Sequence, residues 1–184
     1  MNTEYKLYLD MDGVLVDFEG GFINLTNMTS KELADKQGKK DVVDTYISAG
    51  IKFWSNLKWI HGGKEVWDTA QKLFKNVFIL SSTGTSDTER GNVVATGKRI
   101  WLKNNIPSME EQNIFIVNGR RLKPQYASKD SILVDDMSDT IHQWNVKGGY
   151  GILHSSHNYE QTIEELEYIS QPVKLKELIK RSKL

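Results

Sequence analysis

The chain has 184 residues, 39% of them hydrophobic and 26% charged. This excludes extended disorder, collagen-like repeats and a membrane-spanning bundle, and fits one domain with a small insertion. The 24 basic and 24 acidic residues cancel, so no global field draws the chain to nucleic acid or to an anionic membrane. The chain contains no cysteine, which removes disulfides, thiolate metal sites and cysteine nucleophiles together.

The opening residues lack the basic start and apolar run of a secretion signal, so a cytoplasmic location with no membrane partner is expected. Tyr5 to Leu9 is a short strand-like run that stops at the acidic loop Asp10-Met11-Asp12-Gly13. A helix is predicted from about Val14 to Asn27. A second opens at Thr29-Ser30-Lys31-Glu32, which has capping-box spacing, and a third covers Asp41 to Ala49 and ends at Gly50. Gly63 to Phe74 places Val66, Trp67, Ala70 and Leu73 at helical spacing.

Val77-Phe78-Ile79-Leu80 is then a fully apolar run halted by Ser81-Ser82-Thr83-Gly84, the pattern of a buried strand in a parallel sheet. A helix near Glu89 to Asn104 follows. Ile114 to Val117, Ile132 to Val134 and Tyr150 to Leu153 repeat the apolar pattern, with a helix at Ser138 to Val146 between the last two. Val173 to Leu184 is predicted as a docked amphipathic helix. Strands alternating with helices predict an α/β fold, a doubly wound, Rossmann-like parallel sheet. Residues 18–62 hold no convincing strand and are expected to form a small helical cap inserted after the first strand, over a core of residues 1–17 and 63–184.

Ligands of open parallel sheets bind beyond the carboxyl ends of the strands. Three predicted strands deliver Asp10 and Asp12, Ser81 and Ser82, and Asp135 and Asp136 to that edge. Each has an ordinary structural explanation alone, as a turn or a helix cap; their convergence does not. Like-charged carboxylates about 4 Å apart repel by roughly 4 kcal/mol at an effective dielectric near 20, and a hard cation removes that cost. With oxygen ligands only, Mg²⁺ is favoured over zinc. His61, His142, His154 and His157 form no ligand pattern and are read as surface or packing residues.

Asp10-Met11-Asp12-Gly13-Val14, a serine after an apolar strand, a downstream lysine and a late Asp-Asp pair together resemble the four motifs of the haloacid dehalogenase superfamily of phosphatases. Within it, the stretch Asp10 to Phe22 is similar to the opening motif of the 5′(3′)-deoxyribonucleotidases. Phe53-Trp54 resembles the aromatic pair of their cap, Leu57 through Gly63 the lead into their first core helix (without the usual prolines), and Lys98 and Lys123 stand where that family has lysines. The resemblance covers about residues 5–155. It implies Asp10 as nucleophile, Asp12 as general acid and base, and Mg²⁺ held by Asp10, the Asp12 carbonyl and Asp136 with Asp135 in support. Ser81, Ser82 and Lys123 would bind phosphate, with Lys129 the competing lysine, and Phe18, Phe53, Trp54 and Lys98 would bind the rest of the substrate. The three aromatic residues have an alternative as the cap's own core, and Arg120 and Arg121 either touch phosphate or are solvated.

The substrate implied is a small (deoxy)ribonucleoside monophosphate, and no stable nucleic acid complex is expected. A 3′-phosphatase of nucleic acid ends and a catalytically inactive nucleotide-binding protein are the alternatives. The missing proline in Ser82-Thr83-Gly84-Thr85 leaves 5′ against 3′ preference open, and the oligomeric state, a homodimer included, is open too.

Overall fold

A computed structural model describes residues 3–171; the helix expected over Val173 to Leu184 lies outside them. Five strands form one parallel sheet: β1 (Thr3–Leu9), β2 (Phe74–Ser82), β3 (Ile114–Val117), β4 (Ser131–Asp135) and β5 (Tyr150–Leu153), in the order β3-β2-β1-β4-β5. The chain steps outward from β1 to β2 and β3, then returns to the other side of β1 for β4 and β5. The crevice of such a reversal opens at the carboxyl end of β1, where Asp10 stands.

The strands carry apolar residues on both faces because helices cover both. Leu7, Leu9, Ile79, Ile132 and Val134 are buried in one cluster with Val66, Ala70 and Trp101, while the alternate residues Tyr8, Leu80 and Leu133 pack with Ile141 and Trp144 in the other. This is the two-residue period of a strand made visible. The flanking helices are α5 (Gly63–Leu73), α6 (Thr88–Asn105), α7 (Ser138–Val146) and α8 (Tyr159–Ile169), and a 3₁₀ segment spans Arg120–Tyr126.

Between β1 and α5 come four helices and no strand: α1 (Phe18–Thr26), α2 (Ser30–Gln37), α3 (Lys39–Ser48) and α4 (Gly50–Ser55). The capping box at α2 is formed, with the Thr29 hydroxyl accepting from the Glu32 N–H (3.1 Å) and Glu32 accepting from the Thr29 N–H (2.7 Å). Two anchors tie this layer to the core. Arg90 of α6 pairs with Asp44 of α3, and the Tyr46 hydroxyl donates to the Thr83 carbonyl (3.3 Å).

Four elements differ from the sequence expectation. Val14 to Val16 is a tight turn rather than the start of a helix, because the N–H groups of Val14, Leu15 and Val16 all donate to the Met11 carbonyl; α1 begins only where the Asp17 side chain accepts the Gly20 N–H (2.8 Å). α3 stops just before Gly50 as expected, but Gly50, at a positive φ of 74°, also opens a further short helix, α4, in a conformation suited to glycine. Phe74 starts β2 instead of closing α5. α8 was not foreseen.

Candidate functional site

The loop after β1 is held by its own backbone. The Asp10 N–H donates to the Val134 carbonyl (3.0 Å) and the Gly13 N–H to the Val16 carbonyl (3.0 Å). Gly13 has φ +76°, and a Cβ there would lie 2.5 Å from an Asp136 carboxylate oxygen. Only glycine combines that conformation with that approach, so the Asp-X-Asp-Gly loop and the Asp135-Asp136 pair are fitted to one another.

Asp10, Asp135 and Asp136 can bring one oxygen each within 4.8 Å of the others. Lys123, 2% exposed in its side chain, sits between two of them, with Nζ 2.7 Å from Asp10 and 2.7 Å from Asp135. The other oxygens of these two acids accept the N–H groups of Met11 (2.7 Å) and Met137 (2.9 Å). Three carboxylates therefore share one ammonium. Burial, and then the charge of Asp10, push Asp135 up to about 6 against the pull of Lys123. Desolvation followed by the charges of Asp10 and Asp135 pushes Asp136 up to about 7, although its side chain reaches solvent. Burial opposes the charge on Lys123, but Asp10 and Asp135 outweigh it and hold the ammonium above its ordinary value.

Asp12 lies on the other flank. Its Oδ2 accepts from Lys98 (2.6 Å), a residue 1% exposed whose Nζ also donates to the Ser81 hydroxyl (2.8 Å) and the Ser82 carbonyl (2.8 Å). The remaining oxygen of Asp12 is buried and without a partner. Desolvation raises the Asp12 carboxyl, Lys98 pulls it down and Asp10 adds to the rise, which stands as the net direction.

These residues border a cleft of about 290 Å³ between the sheet edge and the helical layer. Asp10, Asp12, Ser82, Lys123 and Asp136 line it from the core, and Phe18, Glu19, Ser30, Tyr46 and Trp54 from the cap. The structure thus brings both motif aspartates, the Asp-Asp pair and Lys123 to one place; Lys129 is exposed and takes no part in it.

Three of the residues expected to touch ligand sit differently. Lys98 has its three protons committed to protein oxygens, so it stands behind Asp12 instead of facing a substrate. Ser81 is fully buried behind Ser82 and receives the Lys98 hydrogen bond. Phe53 does not line the cleft. The aromatic residues pack mainly on one another: Phe18 stacks on Trp54 (centroids 5.4 Å), Tyr46 and Phe53 meet Trp54 edge-on (both 5.2 Å), and Lys98 lies 5.1 Å over the Trp54 ring. Trp54 is 3% exposed, and most of this group is cap core.

Sequence reasoning missed Tyr46, Glu19 and Thr140 at the cleft. Tyr46 is one aromatic among the cap's apolar positions, and nothing local marks it. Glu19 had a signal, since an acid in a first helical turn faces unpaired N–H groups, but here it serves the next helix, accepting from the Ser30 N–H (2.6 Å) and hydroxyl (2.8 Å).

No protein-family model matches the chain, and no curated protein matches it either. Among solved structures the chain is similar to a hydrolase from Pseudomonas syringae at 14% identity, TM-score 0.51, with 88% of this chain and 89% of that one covered. A hydrolase from Streptococcus pneumoniae TIGR4 matches at 12% identity and TM-score 0.47, covering 88% and 100%. The HAD domain of the effector protein Lem4 from Legionella pneumophila matches at 14% identity and TM-score 0.43, covering 92% and 98%. The first likeness establishes a shared Rossmann-like fold. Among the described residues no helix is long and apolar enough to cross a membrane.

Proposed function

We propose that the chain is a Mg²⁺-dependent phosphatase that hydrolyses small phosphate monoesters, (deoxy)ribonucleoside monophosphates first, through an aspartyl-phosphate on Asp10. The observation that carries this is the pairing of two motif aspartates in opposite settings. Asp10 lies among carboxylates with one ammonium, and Asp12 is tied to a lysine of its own at the mouth of the same cleft. That a solved hydrolase shares the fold and that Asp10-Met11-Asp12-Gly13 resembles the haloacid dehalogenase motif support the same reading.

The donor set fits a hard cation. It is oxygen-only and has three carboxylates within 4.8 Å of one another against the single ammonium of Lys123. Asp10, Asp136 and the Asp12 carbonyl would hold Mg²⁺, with fully buried Asp135 supporting the site and orienting Lys123. When bound, the ion would neutralise phosphate oxygens and relieve the crowding of carboxylates.

The chain's own residues account for the rest. An Asp10 oxygen attacks phosphorus as the bond to the leaving oxygen breaks, and Asp12 gives that oxygen its proton. Desolvation, against the pull of Lys98, biases the Asp12 carboxyl toward the protonated form that this donation uses. Asp12 next takes a proton from water, the hydroxide attacks phosphorus, and the bond to Asp10 breaks to release inorganic phosphate. Lys123 balances negative charge on Asp10 and the phosphoryl oxygens. Lys98 fixes the position of Asp12, and the Ser82 hydroxyl, which accepts from the Gly84 N–H (3.0 Å) in the cleft wall, would meet the transferring group.

A cleft of about 290 Å³ is at the small end of ligand sites and suits a mononucleotide. Of the aromatic residues, half-buried Phe18 is the one placed to support a base. The test is a panel of nucleoside monophosphates, 3′-phosphorylated oligonucleotides and a generic aryl phosphate, scored for released phosphate with Mg²⁺ and with EDTA. Metal-dependent release from the monophosphates is expected. Full activity in EDTA would remove the metal site, and release from oligonucleotides alone would make the enzyme an end-processing phosphatase.

A further inference from the structure

A larger groove of about 800 Å³ runs on from the catalytic cleft between the cap and the core. The two share Ser30, Ser82, Gly84, Arg120 and Met137 in their walls, so a ligand can extend from one into the other. Their charges are opposite. The cleft is lined by Asp10, Asp12, Asp136 and Glu19 around Lys123, whereas the groove is lined by Lys31, Lys39, Arg120 and Arg121 against the single acid Asp35. Among the described residues, Lys31, Lys39 and Arg121 enter no ion pair, and Arg120 has only Asp139, at 3.7 Å. A chain of zero net charge has gathered four cations around one groove and left three of them without an ion pair.

Unpaired cations on two facing walls that border a hydrolytic cleft serve an anion on the part of the substrate that is not cut. Adjacent guanidinium groups at Arg120 and Arg121 favour phosphate, whose oxygens match their donors. The cap supplies Lys31 and Lys39 from α2 and α3, and the core supplies the arginines from the 3₁₀ segment after β3. A second phosphate here would bridge the two layers and hold the cap over the cleft.

We propose that the substrate carries a second phosphate, remote from the scissile one, and that this groove binds it. The inference rests on the phosphatase reading of the cleft. Two sources share that chemistry, a nucleoside bisphosphate and the terminal nucleotide of a phosphorylated nucleic acid strand.

The experiment compares thymidine 5′-monophosphate, thymidine 3′,5′-bisphosphate and a 3′-phosphorylated dithymidine. Equilibrium binding with Mg²⁺ is measured on Asp10→Asn protein, and phosphate release on otherwise wild-type enzyme, each with and without the exposed double change Lys31→Gln/Lys39→Gln. The bisphosphate or the dinucleotide is expected to bind at least roughly fivefold more tightly than the monophosphate at low salt. That margin should shrink with added salt and fall several-fold in the double variant, as befits exposed charges, while monophosphate turnover stays unchanged. Preference for the bisphosphate identifies a small substrate, and preference for the dinucleotide a strand end. Equal binding of all three, or a margin the double variant leaves intact, overturns the subsite. Loss of all phosphate release with the binding margin preserved would instead overturn the phosphatase reading and leave an anion-binding groove.

Discussion

The two buried lysines of the site look alike and do different work. Lys123 faces two carboxylates at 2.7 Å, with a third beside them. Lys98 faces one carboxylate, Asp12, and two neutral oxygens. On the first side negative charge is in excess, and the site calls for a further cation. On the second side charge is balanced, and the lysine can only hold its aspartate in place. Two motif positions separated by a single residue are thereby given separate tasks, one electrostatic and nucleophilic, the other in proton transfer.

The largest test of that division compares Asp10→Asn with Asp12→Asn. Asp10→Asn should lower turnover at least roughly a thousandfold on every substrate, since an amide is a poor nucleophile and a weak ligand of Mg²⁺. Asp12→Asn should cost a nucleotide about a hundred- to ten-thousandfold, but much less in the first step on an aryl phosphate whose leaving group needs no proton. A rapid burst of the aryl alcohol should therefore survive in Asp12→Asn and vanish in Asp10→Asn. Equal bursts in the two variants would erase the distinction.

Stability separates the lysines next. Lys123→Met leaves Asp10 and Asp135 buried against each other with no cation and should cost about 3–5 kcal/mol. Lys98→Met strands one carboxylate that is still 29% exposed, which water can partly solvate, so roughly 1–3 kcal/mol is expected. Denaturant unfolding without Mg²⁺ reads both. A larger loss at Lys98 would invert the comparison.

The same contrast explains how much of the molecule was legible in its sequence. Asp10, Asp12 and the Asp135-Asp136 pair could be found because each follows a strand whose apolar run is plain, and parallel strands deliver their ends to one edge; Lys123, inside a 3₁₀ segment, was placed only by the family resemblance. The strands themselves were legible for the same reason, being buried on both faces. What failed was contact between distant segments. Nothing local says that Lys98, on a mostly polar helix, turns inward to Asp12, or that Phe18 and Trp54, 36 positions apart in the sequence, stack on each other and spend their faces on the cap. Val14 to Val16 misled because Val-Leu-Val after a glycine reads as the start of an apolar element, while three N–H groups converge there on one carbonyl. That turn aims Asp12, and its reason lies in the site.

His154 extends the comparison to a buried group with no charged partner. It follows β5, its backbone N–H donating to the Asp135 carbonyl (2.9 Å). Its Nδ1 meets the Thr162 hydroxyl at 2.9 Å, and its Nε2 is buried without a partner. Desolvation lowers it to about 4, against about 6.5 in an unfolded chain. Between these values the unfolded state binds a proton that the folded state refuses, so stability falls as pH drops from about 6.5 to 4 and is unaffected by this residue above that window. His154→Gln should flatten that fall by about 2 kcal/mol, read as unfolding free energy at pH 7 and 4.5. An unchanged slope would mean that His154 is protonated in the fold.

The smallest effect is the most direct probe of the charge excess. Asp136 crowds Asp10 and Asp135 and has no ammonium of its own, so without a metal its charge works against the fold. Asp136→Asn removes that repulsion while keeping the shape that Gly13 packs against. Because the side chain reaches solvent, screening trims the gain, and metal-free protein at neutral pH should be stabilised by about 1 kcal/mol. Added Mg²⁺ should reverse the order. An ion that binds only the folded state stabilises wild type in proportion to the logarithm of its concentration, and the variant, one carboxylate short, gains less. Thermal unfolding of both proteins along a Mg²⁺ titration should give curves that cross. If Asp136→Asn is the less stable protein at every concentration, the carboxylates are not in net repulsion, and the contrast between the two lysine flanks loses its electrostatic cause.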